Sequence, residues 1–157
     1  MPVLLLIAAW YALDQVTKWW ILDHVMIPPR TIEITFFFNV VLGRNTGVSF
    51  GLLTGVGLPA WALAFFSAGV AVALLVWFGR ATSRLVLTGL GLVVGGALGN
   101  ATDRMRHGAV TDFLDFHVAG WHWPAFNMAD VGIVCGVFFL ILDALVVRQS
   151  GEPVSRG

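Results

Sequence analysis

Charge is scarce in this sequence. Of 157 residues, 11% are Asp, Glu, Lys or Arg, whereas a soluble domain carries roughly 25%. Apolar residues make up 58% of the chain and mean hydropathy is +0.85. So few charges cannot cover a surface that faces water, so the chain belongs in a bilayer. Neither sign is in excess: Lys plus Arg and Asp plus Glu each total 9, which leaves no basic field to gather nucleic acid. Cysteine is nearly absent. Cys135 stands alone in an apolar stretch, which excludes an intramolecular disulfide and reads as a small hydrophobe. His24, His107, His117 and His122 have neither HExxH spacing nor cysteine partners, so no zinc site is expected. There is no GxSxG elbow and no Walker loop, and Ser49 and Ser67 lack an evident base. No metal or cofactor is expected.

What is present is a series of long apolar runs in a length that suits one domain. Four spans are predicted, at about 3–22, 58–78, 85–100 and 128–147. Each approaches the ~20 residues a helix needs to cross ~30 Å of hydrocarbon. The first run has no basic residue before it, carries Asp14 and Lys18 and is followed by no clear cleavage site, so it reads as a retained span. Four spans put both termini on one side, with the 79–84 link GRATSR, and leave two longer segments, about 23–57 and 101–127, on the other. Arg80, Arg84, Arg148 and Arg156 stand against Arg30, Arg44, Arg104 and Arg106. The denser basic charge of the short link favours cytoplasmic termini.

Within the first long segment, Ile32, Ile34, Phe36, Phe38 and Val40 alternate in TIEITFFFNV, the pattern of one half-buried strand. Gly43, Gly47 and Gly51 after it suit turns, and a small sheet on the membrane surface is expected. Trp19, Trp20, Trp121 and Trp123 read as interfacial anchors. Gly91, Gly95 and Gly99 recur every fourth residue, and Gly132 and Gly136 repeat that spacing in the last span, which lets helix backbones approach closely.

Polar residues at membrane depth carry the functional signal, because a central charge costs about 2.5–3.5 kcal/mol and needs compensation. Asp14 and Lys18 are one helical turn apart, acid first, as an ion pair prefers; Lys18 can instead snorkel to the interface. A structural role and substrate contact both stay open for them. The densest cluster lies between the last two spans, where Asn100, Asp103, Arg104, Asp112, Asp115, Asn127 and Asp130 reach one side of the membrane. Asp103 and Asp115 can pair with Arg104 or Arg106 or close turns. Asn127, three residues before Asp130, fits a helix cap, so Asp130 has a structural reading beside a catalytic one. Two carboxylates close together cannot both ionise cheaply, and such a pair can activate water against an amide while protonating the departing nitrogen. Asp143 lies 13 residues beyond Asp130, about 20 Å along a helix, and belongs to the other membrane face. A proton or ion pathway, and an assembly or lipid-binding module, are the competing readings.

Five motifs in order, DQVTK at 14–18, RNTGVSF at 44–50, GNATDR at 99–104, VTDFLDF at 110–116 and FNMAD at 126–130, resemble the lipoprotein signal peptidases, or signal peptidase II. The resemblance covers nearly the whole chain. It implies a mainly α integral membrane enzyme with four transmembrane helices and a small periplasmic sheet and loop region. Such an enzyme sits in the bacterial inner membrane and cuts diacylglyceryl-modified prolipoproteins just before the lipidated cysteine. Carried over by motif, Asp112 and Asp130 are the catalytic pair. Asn45, Asn100, Arg104 and Asn127 hold substrate or support the site, and Asp14 and Asp103 stabilise the fold or the site. Termini are then cytoplasmic and the site periplasmic. Substrate and membrane lipids are the implied partners, and a monomer is expected because one chain completes the site. Ser49 departs from the small apolar residue usual at its position, and the N-terminus is short. Residues 31–51 are expected to act as a lid.

Overall fold

The computed structural model describes residues 2–47, 59–78 and 83–150. Ser49, Gly51, Arg80 and Arg156, and the far end of the expected lid, lie outside the described residues. The elements in order are α1 (Pro2–Trp20), a π-helical turn (Ile21–Val25), β1 (Ile32–Thr35), β2 (Phe38–Asn45), α2 (Ala60–Phe78), α3 (Arg84–His107), β3 (Val110–Val118), β4 (Trp121–His122) and α4 (Met128–Ser150). A mainly helical chain with one small sheet is therefore what folds. Among the described residues, Arg84–His107 and Met128–Val146 are long and apolar enough to cross a membrane, and Ala60–Val76 is a shorter apolar helix.

Helix α3 is the centre, packing on α1, α2 and α4. Glycine makes that possible, and the stripe divides between two partners. Gly91 and Gly95 face α1, where an added Cβ would lie 3.2 Å from Val3 Cγ1 and 3.1 Å from the Ile7 carbonyl oxygen. Gly89 and Gly96 face α4, meeting the backbone of Gly136 and of Ala129. Around this seam the usual polarity is reversed. Asp14, Lys18, Asn100 and Asp103 are buried, whereas Val134, Phe138 and Ile141 of α4 and Phe65 and Phe66 of α2 point outward.

Two expectations about elements need correction. The alternation in TIEITFFFNV is not one strand but a hairpin. Antiparallel β1 and β2 pair Ile32 with Val40 and Thr35 with Phe38. The chain reverses at Phe36–Phe37, where the Phe37 N–H donates to Thr35 Oγ1 at 3.4 Å and Phe36 is 89% exposed. A hairpin whose turn residues are aromatic leaves the period-2 pattern unbroken, so the turn is invisible in it. Gly43, expected in a turn, lies inside β2. The third span was expected to stop near residue 100, where polarity begins. The helix instead continues to His107, because Asn100, Asp103 and Arg104 find partners inside the protein. It ends at Gly108, whose left-handed φ of 71° suits a C-terminal glycine cap.

The sheet has the order β1-β2-β3-β4. Its apolar underside joins the helices through Ile21, Met26 and Phe113, with Leu42, Leu114 and Met128 packed around them. That cluster fixes the end of α1, the middle of β3 and the start of α4 to one another.

Candidate active site

Three elements converge on one point. Strand β3 brings Asp112, the N-terminus of α4 brings Asn127 and Asp130, and the extended end of α3 brings Asn100, Asp103 and Arg104. Strand β3 had no counterpart among the expected elements, and without it Asp112 has no defined position. The register pairs Gly43 of β2 with Asp112. A Cβ at Gly43 would stand 3.3 Å from the Asp112 carbonyl oxygen, so this glycine lets β2 lie tight against the aspartate.

Asn127 ties the two aspartates together. Its Nδ2 donates to Asp112 Oδ1 at 2.6 Å, and its backbone N–H donates to Asp130 Oδ2 at 3.3 Å. The Asp130 N–H returns a bond to Asn127 Oδ1 at 3.1 Å. These reciprocal bonds make the helix cap expected at this position, and the cap also presents Asp130 beside Asp112. The structural and catalytic readings of Asp130 are thus compatible. Asn45 Nδ2 donates to Asp112 Oδ2 at 3.0 Å, and Asn100 Nδ2 donates to Asp130 Oδ1 at 3.0 Å. Asp112 and Asp130 are each only 3% exposed.

Beneath the pair lies a buried cation. Lys18 is 3% exposed and bonds Asp14 Oδ2 at 2.9 Å and Asp103 Oδ2 at 3.2 Å. It therefore points inward and does not snorkel. It also donates to Asn100 Oδ1 at 3.1 Å, which turns the Asn100 amide so that its NH2 faces Asp130. Asp14 Oδ1 accepts the Ala129 N–H at 2.8 Å, anchoring the first turn of α4. Asp103 Oδ2 accepts the Thr111 N–H at 3.0 Å, anchoring the strand beside Asp112. The sequence leaves Asp103 and Asp115 to pair with Arg104 or Arg106 or to close turns. Asp103 pairs with Lys18, and Asp115 takes His122 Nδ1 at 2.9 Å and Asn39 Nδ2 at 3.0 Å. Arg104 instead clamps the chain, donating to the Gly47 carbonyl at 2.6 Å and the Asn100 carbonyl at 3.3 Å.

Gln15 was missed. Its Nε2 lies 3.1 Å from both Asp14 Oδ2 and Asp103 Oδ1. An amide next to an acid inside an apolar run was the available signal. Asp143 sits at the far end of α4 and takes a hydrogen bond from Ser83, as its distance from Asp130 along the helix implied.

Burial, followed by the charge of Asp130, pushes Asp112 up from 3.8 to about 6, against the opposing hydrogen bonds from Asn45 and Asn127. A carboxyl raised into that range can exchange protons near neutral pH. The pair opens on two cavities. One, of about 230 Å³, is lined by Gly43, Arg44, Asn45, Thr46, Asp112 and Ala125. The other, of about 250 Å³, is lined by Trp123, Phe126, Asp130, Val131, Val134 and Cys135. Among the described residues, no cluster of three or more His, Cys, Asp or Glu side chains is arranged to hold a metal ion.

The chain is similar to one protein family over most of its length. A family model described as "Signal peptidase (SPase) II" matches residues 6–146. The lipoprotein signal peptidase of Rhodopseudomonas palustris (strain TIE-1) is 46% identical over 141 residues, covering 86% of each chain. That of Methylobacterium sp. (strain 4-46) is 42% identical over 151 residues, covering 95% of this chain and 92% of its relative. A solved structure described as a bacterial membrane enzyme at 2.3 Å superposes with a TM-score of 0.85 at 27% identity, covering 99% of this chain and 94% of the other. With the family's description matched almost end to end and an aspartate pair in a buried polar site, the chain belongs to the signal peptidase II family and is a peptidase of the aspartic type.

Proposed function

We propose that this protein is a membrane endopeptidase that removes the signal peptide of diacylglyceryl-modified prolipoproteins, cutting just before the lipidated cysteine. Asp112 and Asp130 are its catalytic groups. The observation that carries this reading is the Asn127 bridge, which ties together two buried carboxylates that each line a cavity. The chemistry needs one carboxyl protonated and the other ionised. Burial and the neighbouring charge raise Asp112 to about 6, which makes a proton available at the site near neutral pH. The ionised carboxylate draws a proton from water as the water oxygen bonds to the scissile carbonyl carbon. The protonated carboxyl donates to the carbonyl oxygen. Collapse of the tetrahedral intermediate breaks the C–N bond, and the departing nitrogen takes a proton from the pair.

Asn45, Asn100 and Asn127 hold the two carboxylates in place, Arg104 secures the segment at Gly47, and Asp14 and Asp103 fix Lys18 beneath them. We read residues 1–157 as one polytopic domain with all four helices as spans, since α1 and α2 flank α3 and present apolar outer faces. Exposed Phe36, Trp121 and Trp123, with Trp19 and Trp20 on α1, support a sheet lying at the membrane interface. The bacterial inner membrane, cytoplasmic termini, a periplasmic site and a monomer complete the proposal.

The test is cleavage of a purified diacylglyceryl-prolipoprotein in detergent by wild type, Asp112→Asn and Asp130→Asn. Cleavage before the lipidated cysteine by wild type, and loss of about 10³-fold or more in each folded variant, is expected. A folded variant that keeps most of its rate removes that residue from the pair. A folded wild type that never cuts defeats the peptidase reading, and ion flux becomes the next measurement.

A further inference from the structure

Helix α3 has two faces near its sheet end. Asn100 and Asp103, which bond Asp130 and Lys18, lie on one of them. Leu98, Ala101, Thr102 and Met105 recur at three- and four-residue spacing, and at ~100° per residue they fall on the opposite face. There they form one wall of a groove of about 290 Å³, whose other wall is Ala64, Phe65 and Ala68 of α2. The groove thus lies across the helix from the aspartate pair and shares no lining residue with the two cavities there. From Leu98 to Arg106 it follows α3 for about 12 Å at ~1.5 Å per residue. That is close to the ~15 Å depth of one leaflet, half of the ~30 Å hydrocarbon core.

Thr102 is satisfied within the protein: its Oγ1 donates to the Leu98 carbonyl at 2.8 Å and meets the Tyr11 hydroxyl of α1 at 3.3 Å. The other side chains below Arg106 are apolar, so hydrocarbon fits the groove without the loss of a hydrogen bond. Arg106 borders the end nearest the sheet. Arg44 donates to the His107 carbonyl, and Arg104 to the Gly47 and Asn100 carbonyls. Among the described residues Arg106 has neither an ion pair nor a hydrogen bond, and it is exposed. The sequence of residues 48–58, which leads to α2, contains no acid. Exposed Trp61 in the first turn of α2, with its ring 6.3 Å from that of Phe65, sets this end of the groove at headgroup level, where tryptophan concentrates. A phosphate matches an unpaired guanidinium there, because its oxygens accept the fork of donors.

We propose that this groove binds one anionic phospholipid from the leaflet on the sheet side, with an acyl chain between α2 and α3 and the phosphate on Arg106. The site goes beyond the peptidase reading and rests only on α2 and α3 being spans. The lipid holds α2 in place, a helix that packs chiefly on α3. A zwitterionic lipid brings the same chains but sets its own cation near the guanidinium. Preference for a net-negative headgroup is therefore the mark of the site.

The experiment titrates the delipidated full-length protein in detergent with dioleoyl phosphatidylglycerol or dioleoyl phosphatidylcholine and reads the first lipid bound by native mass spectrometry. Wild type is expected to bind the phosphatidylglycerol about fivefold more tightly, the scale of one arginine beside anionic lipid. Arg106→Gln should bring the two lipids within about twofold of each other. Arg84→Gln, at the other end of α3, should keep the preference. Ala68→Phe fills the groove and should weaken both lipids about tenfold, the scale of a few methylenes in an apolar pocket. Met105→Trp is the second filling variant, read if Ala68→Phe loses its cooperative unfolding. No preference in wild type, a preference that survives Arg106→Gln or disappears in Arg84→Gln, or undiminished binding in the filling variants each overturns the site. Competition by inorganic phosphate at the same affinity overturns it as well, since the anion and not the lipid would then be the ligand. A wild-type dimer that Ala68→Phe splits makes a second copy of the chain the occupant instead. A chain that stays dispersed without detergent brings down the span reading and the site with it. Cleavage is not the readout, so failure of this site and failure of the peptidase reading are told apart.

Discussion

Asp112 and Asp115 stand three residues apart on the same strand, and their surroundings pull them in opposite directions. Asp112 points at a second carboxylate, and burial together with Asp130 raises it to about 6. Asp115 is also buried, which by itself would raise it, but hydrogen bonds from His122 and Asn39 outweigh that and hold it below its ordinary value. One end of β3 thus keeps a carboxyl ready to bind a proton, and the other keeps a carboxylate ionised as a structural tie to β4. Sequence spacing cannot assign these roles. The neighbours on β2, β4 and α4 do.

The largest expected effect is on turnover. Asp112→Asn should lose about 10³-fold or more in kcat, whereas Asp115→Asn should stay within about tenfold, because its partners are His122 and Asn39 and not the proposed catalytic pair. Cleavage of the lipidated substrate by both folded variants measures the contrast, and equal losses would erase it.

Next comes the cation under the site. Lys18→Met leaves Asp14 and Asp103 buried without their shared counter-ion. Breaking a buried pair from one side typically costs about 3–5 kcal/mol. A lower unfolding midpoint in detergent is expected, along with a higher Asp112 value, since the Lys18 charge opposes its rise.

Stability against pH should separate the two aspartates by sign. Asp112 has a folded value above its unfolded one, so its stabilisation is present below about 3.8 and is lost as pH rises through about 6. Replacing it with Asn should therefore stabilise the fold above pH ~6, by up to about 3 kcal/mol, with the gain fading toward pH ~4. Asp115 is lowered, so its contribution is present above its unfolded value and is lost as pH falls through the folded one. Asp115→Asn should destabilise at neutral pH by about 1–3 kcal/mol, and the difference should shrink in acid. Thermal unfolding of both variants from pH ~2 to ~8, a range that reaches below the ordinary carboxylate value, tests this, and a shared sign at neutral pH would refute the comparison.

The smallest effect sharpens it. Asn45 favours the charged form of Asp112 through its 3.0 Å bond. Removing that bond in Asn45→Ala should move the Asp112 limb of the pH–rate profile to higher pH. A limb that stays in place, or moves down, would mean that Asn45 does not face the titrating group.

Much of this was legible in the residues. Apolar runs locate the helices because hydrocarbon and buried contacts demand the same composition over ~20 residues, and the polar residues that interrupt those runs mark the site because they need partners there. Polarity singles out Asn100, Asp103, Arg104, Asp112, Asp115, Asn127 and Asp130 as a group, the choice of Asp112 and Asp130 as the expected pair comes from the motif resemblance, and the Asn127 cap could be read from its spacing to Asp130. Tertiary structure alone decided the rest. The turn at Phe36–Phe37 is set by strand pairing that the alternation pattern does not encode. The length of α3 depends on Lys18 and Gln15 of α1 satisfying its polar end. The inward path of Lys18, and the division of labour between Asp112 and Asp115, arise from contacts between residues far apart in sequence, such as Lys18 with Asp103 and Asp115 with Asn39. Local sequence determines which groups need a partner, and only packing determines which partner each one finds.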